Sequence, residues 1–233
     1  MNKATFLVDV KKCKNVLDDY GILRKMNNIN IKEGSYIKFS EEFRKVAQKQ
    51  NYNLAYIKGM ESDDYDYLLK DGSFFQFSFD THEKDFTIRL AFYPSINDVS
   101  YDDFLVELIG TGIEECGSIF MDDYQQFIAE QESKSVSPIR YDYNSKIYKK
   151  FIHSASHLHF GNEEDIRVPL DKILLPSGFV KIVLQYFYYD LWKNRVAEQD
   201  YRSIFIQNNE SYSIDQKYFS NDERNIPYIH IGL

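Results

Sequence analysis

The chain has 233 residues, of which 43% are hydrophobic and 27% charged, and this composition argues against a disordered protein. Its formal net charge of −8 argues against a broad electropositive face for duplex DNA, while a small basic pocket stays compatible with it. Its two cysteines, Cys13 and Cys116, stand far apart, which argues against a disulfide framework and a cysteine-based zinc site.

The N-terminus and the apolar segments predict a cytoplasmic protein with no membrane partner. Asp9 and Lys11 interrupt the apolar residues of the N-terminus, which argues against a signal peptide. No segment approaches the roughly 18 apolar residues that a membrane-spanning helix requires. Isolated cysteines are typical of a reducing compartment, so we expect the cytoplasm.

Helical periodicity characterises the N-terminal portion of the chain, residues 1–60. An amphipathic helix is predicted from Phe6 to Leu23, because apolar residues recur there at helical spacing. Ser40 is a suitable N-cap for a second helix that runs to about Gln50.

The pattern then changes to alternating strands. Asp71-Gly72 separates two such strands between residues 65 and 79, and this dipeptide is a strong signal for a hairpin. A third strand is predicted at residues 86–93, with Arg89 on its polar face near the histidines described below. Three strands in succession predict an antiparallel meander.

Helical periodicity returns in residues 100–133. Pro176 fits the first position of a further helix that extends to about Leu191. The other predicted strands are residues 139–143, 155–160 and 167–170, with short tail strands at residues 203–207 and 228–231.

These elements predict an α+β fold with a mostly antiparallel sheet, helices packed on one side and an N-terminal helical portion. We expect residues 1–60 to form that portion and residues 61–233 to form the core domain, with a helical insert near residues 100–133. The two parts are expected to make one compact unit.

Histidines concentrate in one segment of the chain. Three of the five, His153, His157 and His159, lie within seven positions. On a strand, His157 and His159 project from the same face because successive side chains alternate. The segment is therefore a candidate site for phosphate or metal chemistry.

Charged residues on neighbouring strands are expected to join the histidines. If the strand that holds His159 pairs with the next strand across a turn at residues 161–165, Arg167 lies directly opposite His159. Arg140 and Asp142 alternate with tyrosines on another strand. Asp142 can then reach the same surface and hold an imidazole in one tautomer.

The first interpretation of this cluster is acid–base cleavage of RNA. His157 and His159 are the general acid and base, and neither a metal nor another cofactor takes part. Asp142 orients an imidazole as a third catalytic residue. The ligand-binding residues in this interpretation are Arg140, His153 and Arg167.

Two other interpretations stay open. In one, His157 and His159 bind zinc together with His153 or Asp142, because alternating histidines on a strand suit that metal. Arg167 argues against it, because a fixed positive charge opposes cation binding. In the other, the histidines bond to the main chain and to carboxylates without performing any chemistry.

Several motifs in this chain resemble one family. They are Asp71-Gly-Ser73-x-x-Gln76-Phe77, Arg89-Leu-Ala-Phe-Tyr93-Pro94, Tyr141-Asp142-Tyr143, Ser156-His157-Leu-His159-x-Gly161, Arg167-x-Pro169 and Leu175-Pro176-x-x-Phe179. Their order resembles the bacterial domain-of-unknown-function family 2290, from about residue 10 to residue 195. That resemblance implies a bacterial, cytoplasmic protein and implies no particular activity.

The order of parts is also similar to the TumE-type toxins of toxin–antitoxin pairs. The matching positions are residues 71–73, 140–142 and 157–161. The chain departs from that pattern at residues 143–146, where TumE-type toxins carry histidines, and in the extra residues 100–133. This resemblance implies a toxin-like or phage-defence role, with a protein partner encoded nearby.

The residues and the resemblances together favour a cytoplasmic bacterial toxin-like or phage-defence-associated protein. We expect a metal-independent ribonuclease with RNA as its substrate. The alternative is a non-catalytic interaction subunit that binds a larger effector protein or a small anionic ligand.

Overall fold

The computed structural model describes residues 1–27, 35–37, 39–48, 51–82, 85–96, 99, 101–130, 137–161, 166–198 and 211–225. The helices are α1 (Lys3–Asp19), α2 (Glu41–Ala47), α3 (Tyr52–Glu61), α4 (Tyr101–Ile109), α5 (Ile113–Cys116), α6 (Met121–Glu130), α7 (Pro176–Phe187), α8 (Tyr189–Glu198) and α9 (Asn221–Arg224). The strands are β1 (Leu23–Met26), β2 (Tyr36–Ile37), β3 (Tyr67–Leu69), β4 (Phe74–His82), β5 (Asp85–Tyr93), β6 (Ile139–Asn144), β7 (Ser156–Phe160), β8 (Arg167–Pro169), β9 (Lys172–Leu174) and β10 (Ser211–Ser213).

An antiparallel sheet of eight strands organises the fold. Its order is β1-β3-β4-β5-β6-β7-β8, with β2 also paired to β4, while β9 and β10 form a separate pair. The predicted α+β class with an antiparallel sheet is confirmed. The tail strands predicted at residues 203–207 and 228–231 lie outside the described residues.

The predicted hairpin at Asp71-Gly72 is confirmed. Gly72 has φ +84°, a left-handed conformation that favours glycine, and it joins β3 to β4. The Asp71 side chain accepts a hydrogen bond of 2.9 Å from the main-chain nitrogen of Ser73. A Cβ atom at Gly72 would also lie 3.1 Å from the Tyr56 hydroxyl, so little space remains for a side chain.

The main hydrophobic core lies between the sheet and two helices. Phe75, Phe77 and Phe79 alternate along β4 and are fully buried against α1 and α7. Buried Asp9 on α1 accepts hydrogen bonds from Ser177 at the start of α7, of 2.8 Å from the nitrogen and 3.0 Å from the hydroxyl. These contacts fix the two helices on one side of the sheet.

A smaller hydrophobic core lies on the face of the sheet opposite to the main core. Phe74, which points away from Phe75, packs with residues of α3, α4 and α6. Gly59 of α3 lies so close to Phe74 that a Cβ atom there would approach the ring to 2.6 Å. This core covers only one end of that sheet face, and the remaining part carries the polar residues described below.

The helix boundaries differ modestly from those predicted. α1 begins at Lys3 with Asn2 as its N-cap and ends at Asp19, because Gly21 turns the chain into β1. Ser40 caps α2, and Pro176 occupies the first turn of α7, as predicted. The α7 helix ends at Phe187 and α8 follows, instead of one helix to Leu191.

The helical insert contains α4, α5 and α6, whereas α3 had no separate prediction. The domain boundary at residue 60 stays a prediction. Within the described residues, every helix falls short of the length and apolar character needed to cross a lipid bilayer.

Candidate functional site

Strand β6 places charged groups on the open face of the sheet. Its burial alternates, with odd-numbered residues in the core and Arg140 and Asp142 half-buried on the opposite face. Its register sets Asp142 opposite His157 of β7 and opposite Arg89 of β5. Arg140 lies opposite His159 in the same way.

The pairing of β7 with β8 has the predicted register. His159 lies opposite Arg167, and His157 lies opposite Pro169. Residues 162–165, where the turn was predicted, lie outside the described residues. Because the side-chain period is two, this register brings His157, His159 and Arg167 to one face.

These side chains line a cavity of about 350 Å³. All six residues predicted for the site contribute to its lining: Arg140, Asp142, His153, His157, His159 and Arg167. His157 and His159 are only 1% and 3% exposed, so both imidazoles lie at the base of the cavity.

Asp142 is the acidic centre of a charged network. Its Oδ1 accepts a hydrogen bond of 2.9 Å from Arg89 Nε, and its Oδ2 accepts one of 2.8 Å from Arg140 Nε. His159 Nε2 lies 3.4 Å from Oδ2. Burial raises the pKa of Asp142, but Arg89, His159 and Arg140 together outweigh burial and hold that pKa well below its usual range.

The main-chain carbonyl of Ser154 orients two imidazoles. The Nδ1 atoms of His157 and His153 lie 2.9 Å and 3.2 Å from this oxygen. A carbonyl oxygen only accepts hydrogen bonds, so Nδ1 of His157 carries the proton and Nε2 keeps its lone pair. The ring centroid of His157 lies 5.1 Å from that of His153 and 4.7 Å from that of His159.

The two buried imidazoles are neutral near pH 7. Burial and, to a smaller extent, the nearby His159 lower the pKa of His157 to about 4, against the opposing effect of Asp142. Burial also lowers the pKa of His159, where contact with Asp142 opposes the effect of burial and Arg140 adds to it.

The charge of the cavity favours an anion. Three arginines, Arg89, Arg140 and Arg167, face two carboxylates, Asp80 and Asp142, in a protein whose net charge is −8. Buried Nε of Arg167 and buried Nδ1 of His159 have no hydrogen-bond partner among the described residues. Buried polar atoms normally have partners, so an anionic ligand with several acceptor oxygens suits this cavity.

The same residues fit a metal ion less well. Asp142, His157 and His159 each offer a ligand atom, and these atoms lie within 4.8 Å of one another. However, both oxygens of Asp142 already accept hydrogen bonds from guanidinium groups. A divalent cation would lie beside those positive charges, so the geometry favours an anion.

Two contributors to the site had no predicted role. Arg89 was expected on the polar face, and its opposition to Asp142 could be inferred only after the β5–β6 register was known. Ser154 acts through its main-chain oxygen, for which a side-chain pattern gives no signal.

Comparison with protein families identifies the chain. The sequence profile of a family described as "Uncharacterized conserved protein (DUF2290)" matches residues 22–231. The chain belongs to this family. The DUF2290 match includes every residue that lines the cavity and confirms the resemblance to that family.

The other comparisons add no relatives. Searches of curated proteins and of solved structures gave no significant match to the chain. The resemblance to TumE-type toxins gains no support from the DUF2290 match.

Proposed function

We propose that the cavity binds a phosphodiester of RNA and cleaves it without a metal. The observation that carries this proposal is the meeting of His157, His159 and Arg167 around Asp142 in one cavity of the sheet. Cleavage of RNA through its own 2′-hydroxyl needs a base, an acid and a cation at the phosphate. All three groups are available on this face.

His157 is the general base in this mechanism. Its Nδ1 proton is held by Ser154, and its low pKa keeps Nε2 free of a proton near neutrality. Nε2 takes the proton of the 2′-hydroxyl while the 2′-oxygen forms a bond to phosphorus. The bond from phosphorus to the 5′-oxygen breaks, which leaves a 2′,3′-cyclic phosphate.

His159 is the general acid and protonates the departing 5′-oxygen. Asp142 stabilises the protonated form of His159 because its carboxylate lies at ion-pair distance. Arg140 and Arg167 stabilise the negative charge that develops on the phosphorane. His153 contacts the ring of His157 edge to face.

The biological part of the proposal is a cytoplasmic toxin-like or phage-defence role with a partner protein. The order of the Asp-Gly-Ser, Arg-Tyr-Asp and His-x-His-x-Gly segments, similar to that of TumE-type toxins, supports it. In such a system the partner restrains the nuclease until it is needed.

The experiment that tests this chemistry incubates the purified protein with a single-stranded RNA and with a DNA of identical sequence and measures cleavage of each. We expect cleavage of the RNA alone, with cyclic phosphate ends. His157→Asn should lower the rate by about 100-fold or more, because its amide can still donate to Ser154 but cannot accept the proton. His159→Gln should have an effect of similar size.

Arg44→Ala is the matched control, because Arg44 is exposed on α2, where it pairs with Glu41 of the same helix. It should cleave RNA at the wild-type rate. Intact RNA with the wild-type protein, or equal rates with wild type and His157→Asn, would contradict the proposal. Growth of cells that express each variant then tests the toxin-like role separately.

The pH dependence of cleavage follows from the two imidazoles. One must be neutral and the other protonated, and both pKa values lie below the ordinary value of 6.5. We therefore expect kcat/KM to be highest in the acidic range and to fall about tenfold per pH unit above the higher pKa. A rate that stays constant from pH 7 to pH 9 would count against this pair of catalytic groups.

A second function is favoured by the deep burial of the imidazoles. With 1% and 3% exposure, His157 and His159 suit a non-catalytic subunit that holds a small anion and binds a larger effector protein. Calorimetry with inorganic phosphate tests this alternative. Three results together would support the non-catalytic function. The wild type would bind phosphate and Arg167→Met would not, RNA would stay intact, and a neighbouring gene product would co-purify with the protein.

A further inference from the structure

A tight loop begins and ends beside the cavity. Ile147 and His153 both line the cavity, and residues 148–152 connect them. Lys149 and His153 form a reciprocal pair of main-chain hydrogen bonds, of 2.9 Å and 2.8 Å. The tip of the loop, residues 150–152, therefore projects next to the cavity.

Phe151 at this tip adopts a conformation that bulky residues seldom take. Its φ is +62°, in the left-handed region. Such a conformation persists when the surrounding structure imposes it, and it is often found at functional sites. The backbone of this exposed phenylalanine is therefore held in place by the loop, unlike that of an ordinary surface residue.

Glu223 holds the loop in this conformation. It is 3% exposed, and its carboxylate accepts hydrogen bonds of 3.2 Å from the Phe151 nitrogen and 2.7 Å from the Tyr148 hydroxyl. The same carboxylate accepts from the nitrogen and hydroxyl of Ser220 in a capping box at α9. Helix α9 thus holds the loop through buried Glu223 and through the ion pair of Asp222 with Lys150.

The result is an exposed apolar surface that follows two lysines in the chain. Phe151 is 56% exposed and Ile152 is 79% exposed. Lys149 and Lys150 precede them, and the Lys150 ammonium lies 5.0 Å from the centroid of the Phe151 ring while it pairs with Asp222 of α9 at 2.5 Å. An aromatic ring with adjacent cations is the arrangement by which proteins bind single-stranded nucleic acids.

We propose that Phe151 is a stacking platform for an unpaired base of a single-stranded RNA whose phosphate occupies the cavity. This inference rests on the proposed function, because it names the form of RNA that the cavity accepts. His153 belongs both to the loop and to the lining of the cavity, so one RNA strand can contact both. A base inside a duplex is already stacked on its neighbours and cannot use this platform.

Binding of an RNA that cannot be cleaved tests the platform apart from catalysis. The probe is a fluorescent 2′-O-methyl oligonucleotide, measured as a single strand and as a duplex. Phe151→Ala should weaken single-strand binding about fivefold or more, while Phe151→Trp should preserve it. Tyr186→Ala is the matched control, because Tyr186 is a 64% exposed aromatic residue on α7, and its binding should equal that of wild type.

Several outcomes overturn the inference. They are equal binding by wild type and Phe151→Ala, an equal loss in Tyr186→Ala, and a preference for the duplex. Retained RNA binding by Phe151→Ala with loss of binding to phosphatidylserine vesicles would assign the loop to a membrane surface instead. Thermal unfolding confirms that each variant is folded.

The outcomes also separate this inference from the proposed function. Cleavage of RNA by the wild type with unchanged binding in Phe151→Ala would overturn the platform alone. Intact RNA with binding that depends on Phe151 would overturn the catalytic proposal alone.

Discussion

Asp142→Asn is expected to lower the free energy of unfolding by about 2 kcal/mol or more, because it leaves Arg89 and Arg140 without their shared carboxylate. The side chain of Asp142 is 15% exposed and that of Arg140 is 25% exposed, so water replaces the lost contact poorly. The side chain of Arg89 is 46% exposed, which moderates the loss. Urea unfolding at neutral pH measures the change.

The matched control for this variant is Asp18→Asn, which breaks an exposed pair with Lys14 on α1. It should change the free energy of unfolding by less than about 1 kcal/mol. Inorganic phosphate should stabilise Asp142→Asn more than wild type, because the variant lacks the carboxylate that competes with phosphate for the guanidinium of Arg140. Equal stability of the two variants, with no added effect of phosphate, would show that Asp142 does not hold the arginines together.

His157 is expected to make the protein less stable as the pH falls from about 6.5 to about 4, because its pKa is near 4 in the folded state and 6.5 in the unfolded chain. In this range the unfolded chain binds a proton that the folded protein does not. The free energy of unfolding therefore decreases with decreasing pH. The full loss from this residue is about 3 kcal/mol.

His157→Asn isolates this contribution, because asparagine does not titrate and its amide can replace Nδ1 as donor to the Ser154 carbonyl. Urea unfolding of both proteins at pH 7, 6, 5 and 4.5 gives the comparison. The variant should lose less stability than wild type across this series. Parallel curves for the two proteins would mean that His157 titrates normally. The lowered pKa of Asp142 affects stability only at more acidic pH, below about 3.8, and so lies outside this range.

The sheet was predictable because local signals agreed with the tertiary structure. Asp71-Gly72 specified a turn, and alternating phenylalanines specified which face of β4 is buried. Strand β2, with two residues, is too short to show an alternating pattern. Strand β9 also could not be predicted from the sequence, because its three residues pair with β10, which lies almost forty positions later in the chain.

The site was partly predictable for a related reason. The alternation of His157 and His159 predicted their common face, and a turn assumed at residues 161–165 placed Arg167 opposite His159, as the structure has it. The partners of Asp142 depended on β6 lying between β5 and β7, which is a long-range arrangement. Burial of the imidazoles depended on the same arrangement, so their lowered pKa values had no sequence signal.

The hydrogen bonds of Glu223 connect a late part of the chain to the loop that carries His153. A protease cut just after Phe219 would remove none of the described residues that line the cavity, yet it would remove the carboxylate that accepts a hydrogen bond from Phe151. The loop that leads to His153 and Ser154 would then depend on the main-chain hydrogen bonds between Lys149 and His153. Removal of the residues after Phe219 would thus affect ligand affinity at a cavity whose loop lies some seventy positions earlier in the sequence.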